Sequence, residues 1–522
     1  MPVFLAFLVR DAEAKDVDSN HSFTYQSNIL HYANKVTGLR SGSYLSPGQW
    51  NTDDLSLGYK YSNGDVFYES GMDMRIADDP SVEPSTFSVK RFVIHFGDKA
   101  SDVVIGDYMA SLSNYSLGTS LKGARYTYKF SDTVQGTVLA GSPRGTWREL
   151  WGGTNSATLD RQYYGGRLAK TWANGALIGA DVVTSNDSRV PTADPATISR
   201  QRLGSFEWAL PPFHNLALSG ESAYSWTRTD DPGQVSAYIL DGWAHIVKDD
   251  FSYKGFKNHV EFERVSPYFA TNGGSASPDL IRCDQTNEYR FRGPWKVVAN
   301  YSWFHNNLKG VDGTNTSTTR LPEVGLNYDG PDWRPSLSVD VKAHSRAVNN
   351  AGTGVKTITR GGTLDVADTF HTIAATLEIV RQDVAPTDGS SHQRNDTVTL
   401  GANTTKNLPW GISVNPSVNW NFEVDRDLLI GNKNRTSTLT GNLTAQFPGG
   451  FDSSVGYNDN KTINGTDPSS EVRTFTATAG YNIHGNSQTR FELHFKRNEN
   501  YFTDNKQNYQ ETIGEALLNF SL

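Results

Sequence analysis

The 522-residue sequence is most informative first in what it lacks. Its single cysteine, Cys283, can form no internal disulfide, and one cysteine excludes a C-x-x-C-H haem attachment site on this chain. No stretch approaches the roughly 20 apolar residues that a membrane helix needs. Hydrophobic residues make up only 37 %, too few for the roughly three or four soluble domains that the length alone suggests. Charge of one sign is missing as well. The net charge is −8 with acids and bases interspersed, so no basic patch points to nucleic acid.

What the chain has in their place is aromatics at 11 %, 47 glycines and abundant Ser, Thr and Asn. That mixture suits strands with one polar face, joined by tight turns. The periodicity agrees. Leu55, Leu57, Tyr59 and Tyr61 alternate with polar residues, Asn63-Gly64 turns the chain, and Val66, Tyr68, Met72, Met74 and Ile76 follow opposite Glu69, Asp73 and Arg75. Trp295, Val297, Ala299, Tyr301 and Trp303 share one parity; Val339, Val341 and Ala343 lie opposite Asp340, Lys342 and His344. Near the end, Phe491, Leu493 and Phe495 alternate with Arg490, Glu492, His494 and Lys496. Strict period-two alternation marks a strand with two unlike faces.

The connections fall into two classes. Short ones include Asn63-Gly64, Ser131-Asp132, Asn174-Gly175, Pro211-Pro212, Leu408-Pro409 and His484-Gly485-Asn486. Between them lie longer polar loops near 34–52, 77–86, 141–161, 187–199, 270–285, 307–318, 383–394 and 426–434. Alternation of short and long is the habit of a transmembrane barrel, with short periplasmic turns and longer outer loops. Five of the 12 tryptophans, Trp172, Trp208, Trp295, Trp333 and Trp410, sit close to short turns, where an interfacial aromatic girdle belongs. The expectation is an all-β fold: a transmembrane antiparallel up-and-down β-barrel of about 26 strands, within a range of 22–28. On that reading the charged face lines a lumen, because Lys or Arg facing mid-membrane lipid costs roughly 2–4 kcal/mol. Asp340, Lys342, His344, Arg490, Glu492, His494 and Lys496 become the candidate contacts for whatever the lumen holds. The terminal "ALLNFSL" resembles the closing strand read by the outer-membrane assembly machinery, with Leu522 where Phe is usual.

Residues 1–14 read as the remnant of a signal peptide, with apolar Phe4–Val9 and an A-x-A site at Ala12-Glu13-Ala14; residues 15–522 read as one barrel domain in the bacterial outer membrane. Motifs for chemistry are weak. "GTSLKG" (118–123) lacks the spacing of a phosphate loop, "NDNKTINGTDPSSE" (458–471) is an oxygen-rich loop, and the 12 His are scattered. The expectation is no enzyme, no catalytic residue, no metal and no cofactor on this chain. The stretch Ser111–Gly123 is the least strand-like and is expected to be a loop folded inward; Cys283 is expected in an outer loop.

A 26-strand ring has a backbone diameter near ~50 Å, which leaves roughly 30–40 Å inside the side chains. A compact 100-residue domain is about 34 Å across and fits. Strand number, plugless architecture and moderate loops resemble the porin-like barrel of bacterial porin–cytochrome conduits. The likeness is architectural and spans about 20–522. The cysteine pair of one branch of that family is absent. The resemblance implies a barrel that sheathes a multihaem c-type cytochrome for electron transfer across the membrane, with all haems on the partner. The alternatives are a passive general or large-solute porin, narrowed by an inward loop, and a secretion or surface-structure barrel.

Overall fold

The computed structural model describes residues 20–521 apart from 40–44, 84–85, 151–158, 190–196, 232–235, 309–315, 331–333, 335, 351–353, 466–468, 484–487 and 505–507. The proposed signal remnant, Trp333 and the His484-Gly485-Asn486 turn lie outside the described residues.

Every strand pairs antiparallel with its neighbours in sequence, and the first, His21–Gly38, pairs with the last, Tyr509–Ser521. The sheet closes as a 26-strand barrel, Lys406–Asn407 continuing the strand Gln393–Thr404 beside Ser413–Asp427. Closure pairs the first strand with the last, so ladder donors and acceptors find partners round the ring without water, save where Phe87–Phe92 parts from the next strand. The register keeps the two faces apart all the way round. Lys60 lies opposite Glu69, Glu69 opposite His95 and His95 opposite Val104 on one face. Tyr68, Phe206, Trp243, Val324, Leu439 and Leu493 belong to the other. The second row is where large exposed apolar side chains collect, including Val182 at 61 % and Val324 at 56 % exposure. An apolar outside and a polar inside define a membrane-spanning barrel of the outer-membrane type.

Short turns and longer loops alternate as the sequence indicates. Gly64 (φ 60°) and Gly175 (φ 85°) take the left-handed conformation that tight hairpin turns demand. Strand ends extend further into the loops than polarity suggested. Cys283 is in the strand Leu280–Arg290, not in a loop, opposite Phe262 and Trp303 on the lipid-facing row. The polar letters around it were lumenal strand positions, Arg282 and Asp284. Asn458–Ile463 is likewise strand, and so is Gly118–Lys129, which holds "GTSLKG".

Candidate functional site: the lumen and its padded wall

The lumen differs between two arcs. Over the strands from Ser101 to Arg290 the inner wall is covered by the chain itself. Gly106 lies opposite Gly123, and Gly123 opposite Gly141, so three glycines form a line across adjacent strands. A Cβ on Gly123 would lie 2.0 Å from the Ala140 carbonyl oxygen, and one on Gly106 2.1 Å from that of Phe92. Only glycine permits this approach. Beyond the line the neighbouring strand Phe87–Gly97 stops pairing, and the Phe92 N–H donates to the Asp107 carboxylate at 2.7 Å. The hairpin bends off the wall and into the lumen. Trp147, on the short helix Trp147–Leu150, donates to Asp107 at 2.7 Å, and the buried Lys122 pairs with the same carboxylate behind the bend.

The bent hairpin carries its tip, Leu112–Leu117, to strands well round the ring. Glu221 accepts the backbone N–H groups of Asn114 and Tyr115, each at 3.1 Å. The Tyr115 hydroxyl donates to Glu263 at 2.9 Å, and burial together with Glu263 pushes its pKa up. A second loop, 266–279, folds onto the same wall. Asn272 N–H donates to Gln201 at 2.9 Å, Ala270 N–H to Ser225 at 2.9 Å, and Tyr163 hydroxyl to the Asn272 carbonyl at 2.6 Å. The loops also bond each other: Thr271 hydroxyl donates to the Tyr115 carbonyl at 2.9 Å, and Gly118 N–H to the Gly273 carbonyl at 2.7 Å. Beneath them two apolar clusters form on the inner wall, one around Tyr108, Leu121, Leu139 and Val183, the other around Leu203, Ile246, Val265 and Phe269. These inward apolar residues are the reason the loops stay down: each large one contributes roughly 1.5–3 kcal/mol when covered.

From Trp295 to Ser521 no described segment covers the inner wall. Among the described residues only Ile513 is a buried apolar side chain on it; Val424, also buried, lies on the outward row opposite Asp396. Lumenal positions are amides and hydroxyls bonded across strands. Asn421 donates to Thr399 at 3.0 Å, Asn458 to Thr440 at 2.9 Å and Asn460 to Thr438 at 2.9 Å.

All seven candidate contacts lie on the inward face of this bare arc, and the structure divides them into two groups. Asp340 and Lys342 approach to 3.6 Å, with His344 on the same face opposite Glu323. In the second group Arg490 grips Asp452 at 2.7 and 2.9 Å and also pairs with Glu492. His494 bridges Glu492 at 2.8 Å and Glu515 at 3.2 Å. Lys496, opposite Thr476 and Ile513, forms no ion pair among the described residues.

Of the girdle tryptophans, Trp208 and Trp295 lie at the short-turn ends of strands, Trp295 with its ring 4.7 Å from Tyr328. Trp172 opens a turn under Lys170, and Trp410 is 86 % exposed. The sequence reading did not name the Tyr and Phe residues that also stand exposed near short turns: Phe23, Tyr126, Tyr128, Phe130, Tyr289 and Phe370. Parity next to each short turn was the signal that could have found them. It also missed the anchors Glu221 and Glu263. They sit on ordinary alternating strands, and their partners are more than a hundred residues away.

By structure, the chain is similar to the siderophore receptor PirA from Pseudomonas aeruginosa, with a TM-score of 0.45 and 11 % identity over 96 % of this chain and 80 % of that one. It is similar to the P pilus usher (PapC) translocation pore, with a TM-score of 0.38 and 10 % identity over 95 % of this chain and 99 % of that one. It is also similar to a BenF-like porin from Pseudomonas fluorescens Pf-5, with a TM-score of 0.33 and 10 % identity over 67 % of this chain and 99 % of that one. No protein-family model and no curated protein matches the sequence.

Proposed function

We propose that this barrel sheathes a folded protein partner within its lumen. The observation that carries the reading is the bare arc. A 26-strand ring is about 50 Å across. The chain's own inward loops lie flat against one wall, and among the described residues no segment forms a plug domain. A hole of that width would breach the membrane barrier unless something filled it; barrels of 22 strands already carry a plug. The bare wall offers a carpet of amides and hydroxyls interspersed with charged groups, which suits the polar surface of a folded protein better than an apolar ligand. A multihaem c-type cytochrome is the occupant that the architectural resemblance implies, with the barrel as insulator and the haems entirely on the partner.

The test is purification from native membranes in mild detergent. The proposal expects a second polypeptide in one-to-one ratio, and haem staining of that band decides whether it is a cytochrome. A barrel that elutes alone and colourless overturns both. The second reading is a large-solute channel, favoured by the inward Leu112–Leu117 tip, which narrows one side of the lumen. Stable single-channel steps from the barrel alone, with a polymer-exclusion limit well below the width of the ring, would favour it.

A further inference from the structure

Basic residues that look scattered in the sequence come together on the outward face. At the long-loop ends of Ile198–Ala209 and Leu216–Asp230, Arg200 lies directly opposite Arg228, and Arg202 is two residues below on the same face. Their outward direction is fixed by their neighbours: Gln201 and Thr227 point inward, where the Gln201 amide donates to Thr227 at 3.2 Å and to the carbonyl of Ala270 at 2.6 Å. All three arginines are exposed. Among the described residues none of them forms an ion pair, although Asp230 and Asp241 share their face, Asp241 accepting from the Tyr224 hydroxyl at 3.1 Å. Some outward arginines elsewhere are neutralised, Arg381 by Asp396 at 2.7 Å and Arg394 by Asp383 at 2.7 Å, and Arg264 and Arg320, unpaired among the described residues, have no arginine directly opposite. Like charges directly opposite on paired strands are unfavourable, so this trio is a place where an anion would relieve repulsion.

The surface just below is aromatic. Arg202 sits over the Trp226 ring at 5.8 Å, and the Tyr224 and Trp243 rings are 4.6 Å apart. Trp243 is 55 % exposed. Aromatic side chains at this height belong to the headgroup boundary, with acyl chains on one side of them and polar groups on the other. Guanidinium groups match phosphate oxygens bidentately, and three of them exceed what one monoanionic headgroup requires.

We infer that Arg200, Arg202 and Arg228, above Tyr224, Trp226 and Trp243, form a binding site for a multiply phosphorylated, acylated glycolipid of the outer leaflet. The trio takes the phosphates and the aromatic ledge takes the start of the acyl chains. The assignment to the outer leaflet rests on the long loops facing outward; the binding itself does not, because it is measured in detergent. The folded full chain is titrated with diphosphoryl lipid A, with the same lipid stripped of its phosphates, and with phosphatidylglycerol, following tryptophan emission and retained lipid by mass spectrometry. Diphosphoryl lipid A is expected to bind at least tenfold tighter than either comparator. The triple variant Arg200→Gln, Arg202→Gln, Arg228→Gln is expected to lose at least tenfold, and Arg381→Gln with Arg394→Gln to lose little. Equal binding of phosphatidylglycerol, or undiminished binding by the folded triple variant, overturns the site. If the triple variant does not fold, the ratios measured on the unmodified chain still decide. Labelling of long-loop cysteines on intact cells checks the orientation separately.

Discussion

Between Ser101 and Arg290 the inner wall carries Leu, Val, Ile and Tyr and is covered by two loops of the same chain; between Trp295 and Ser521 it carries Asn, Thr and charge and is covered by none of the described residues. Both arcs obey the same register and show lipid the same apolar row. The difference lies in what each inner face was built to meet. Where the covering is intramolecular, apolar side chains gain by burial and buried carboxylates fix the loops by accepting backbone donors. If the covering of the other arc comes from outside the chain, as proposed, the wall must be stable in water first, and cross-strand amide–hydroxyl bonds keep it so. On that reading the padded arc is a finished interface and the bare arc an unfinished one.

The sharpest way to break this comparison is to exchange the faces. Arginine at Leu439, on the lipid row at mid-strand, should destabilise the barrel by roughly 2–4 kcal/mol, whereas arginine at the adjacent Thr440 should change little. Denaturant titration of barrels folded into liposomes reads both, and equal effects would mean that the inner and outer assignment is wrong in the bare arc. The next largest effect belongs to the glycine line. Gly123→Ala places a Cβ against a carbonyl oxygen and should cost about 1–3 kcal/mol, while Gly441→Ala and Gly514→Ala, with nothing within 4 Å, should be close to neutral. Differential scanning of the three variants suffices.

Loop anchoring sharpens the comparison at a smaller scale. Glu221→Leu orphans two backbone donors at the tip, at roughly 1–3 kcal/mol of local stability. Protease cutting within 112–117 should become rapid, while Thr476→Leu in the bare arc should expose no new cleavage. The smallest effect is on acid sensitivity. Burial opposes ionisation of Asp79, but hydrogen bonds from Tyr32, Ser81 and Ser46 outweigh it and bring the pKa down to about 2. A depressed carboxyl contributes stability that is fully present above its unfolded value of about 3.9 and is lost as the pH falls through about 2. Hydrogen exchange at 78–83 should therefore rise only below about pH 4, and Asp79→Asn should remove that dependence.

Much of the fold was legible because period-two alternation, Asn-Gly turns and the short–long rhythm are local. Phe491 and Arg490 declare opposite faces without any partner in view. What failed was also local. Polarity alone placed Cys283 and Asn458 in loops, since a lumenal strand position and a loop position are equally polar. The inward stretch Ser111–Gly123 was visible as a break in pattern, but only its first part, Leu112–Leu117, is loop; Gly118–Lys129 returns as strand. The line of Gly106, Gly123 and Gly141 could not be read, because it exists only across strands once the register is known. The outward trio of Arg200, Arg202 and Arg228 was hidden in the same way within an acidic chain.

The claim that the bare arc meets another protein can be tested from the wall itself. A photo-crosslinking side chain placed at Thr476, on the inner face, and another at the adjacent Ala477, on the lipid row, are activated in native membranes. The account predicts a discrete polypeptide adduct at 476 and none at 477. The same absence of polypeptide at both positions, repeated at Thr440 and Asn458, would contradict it.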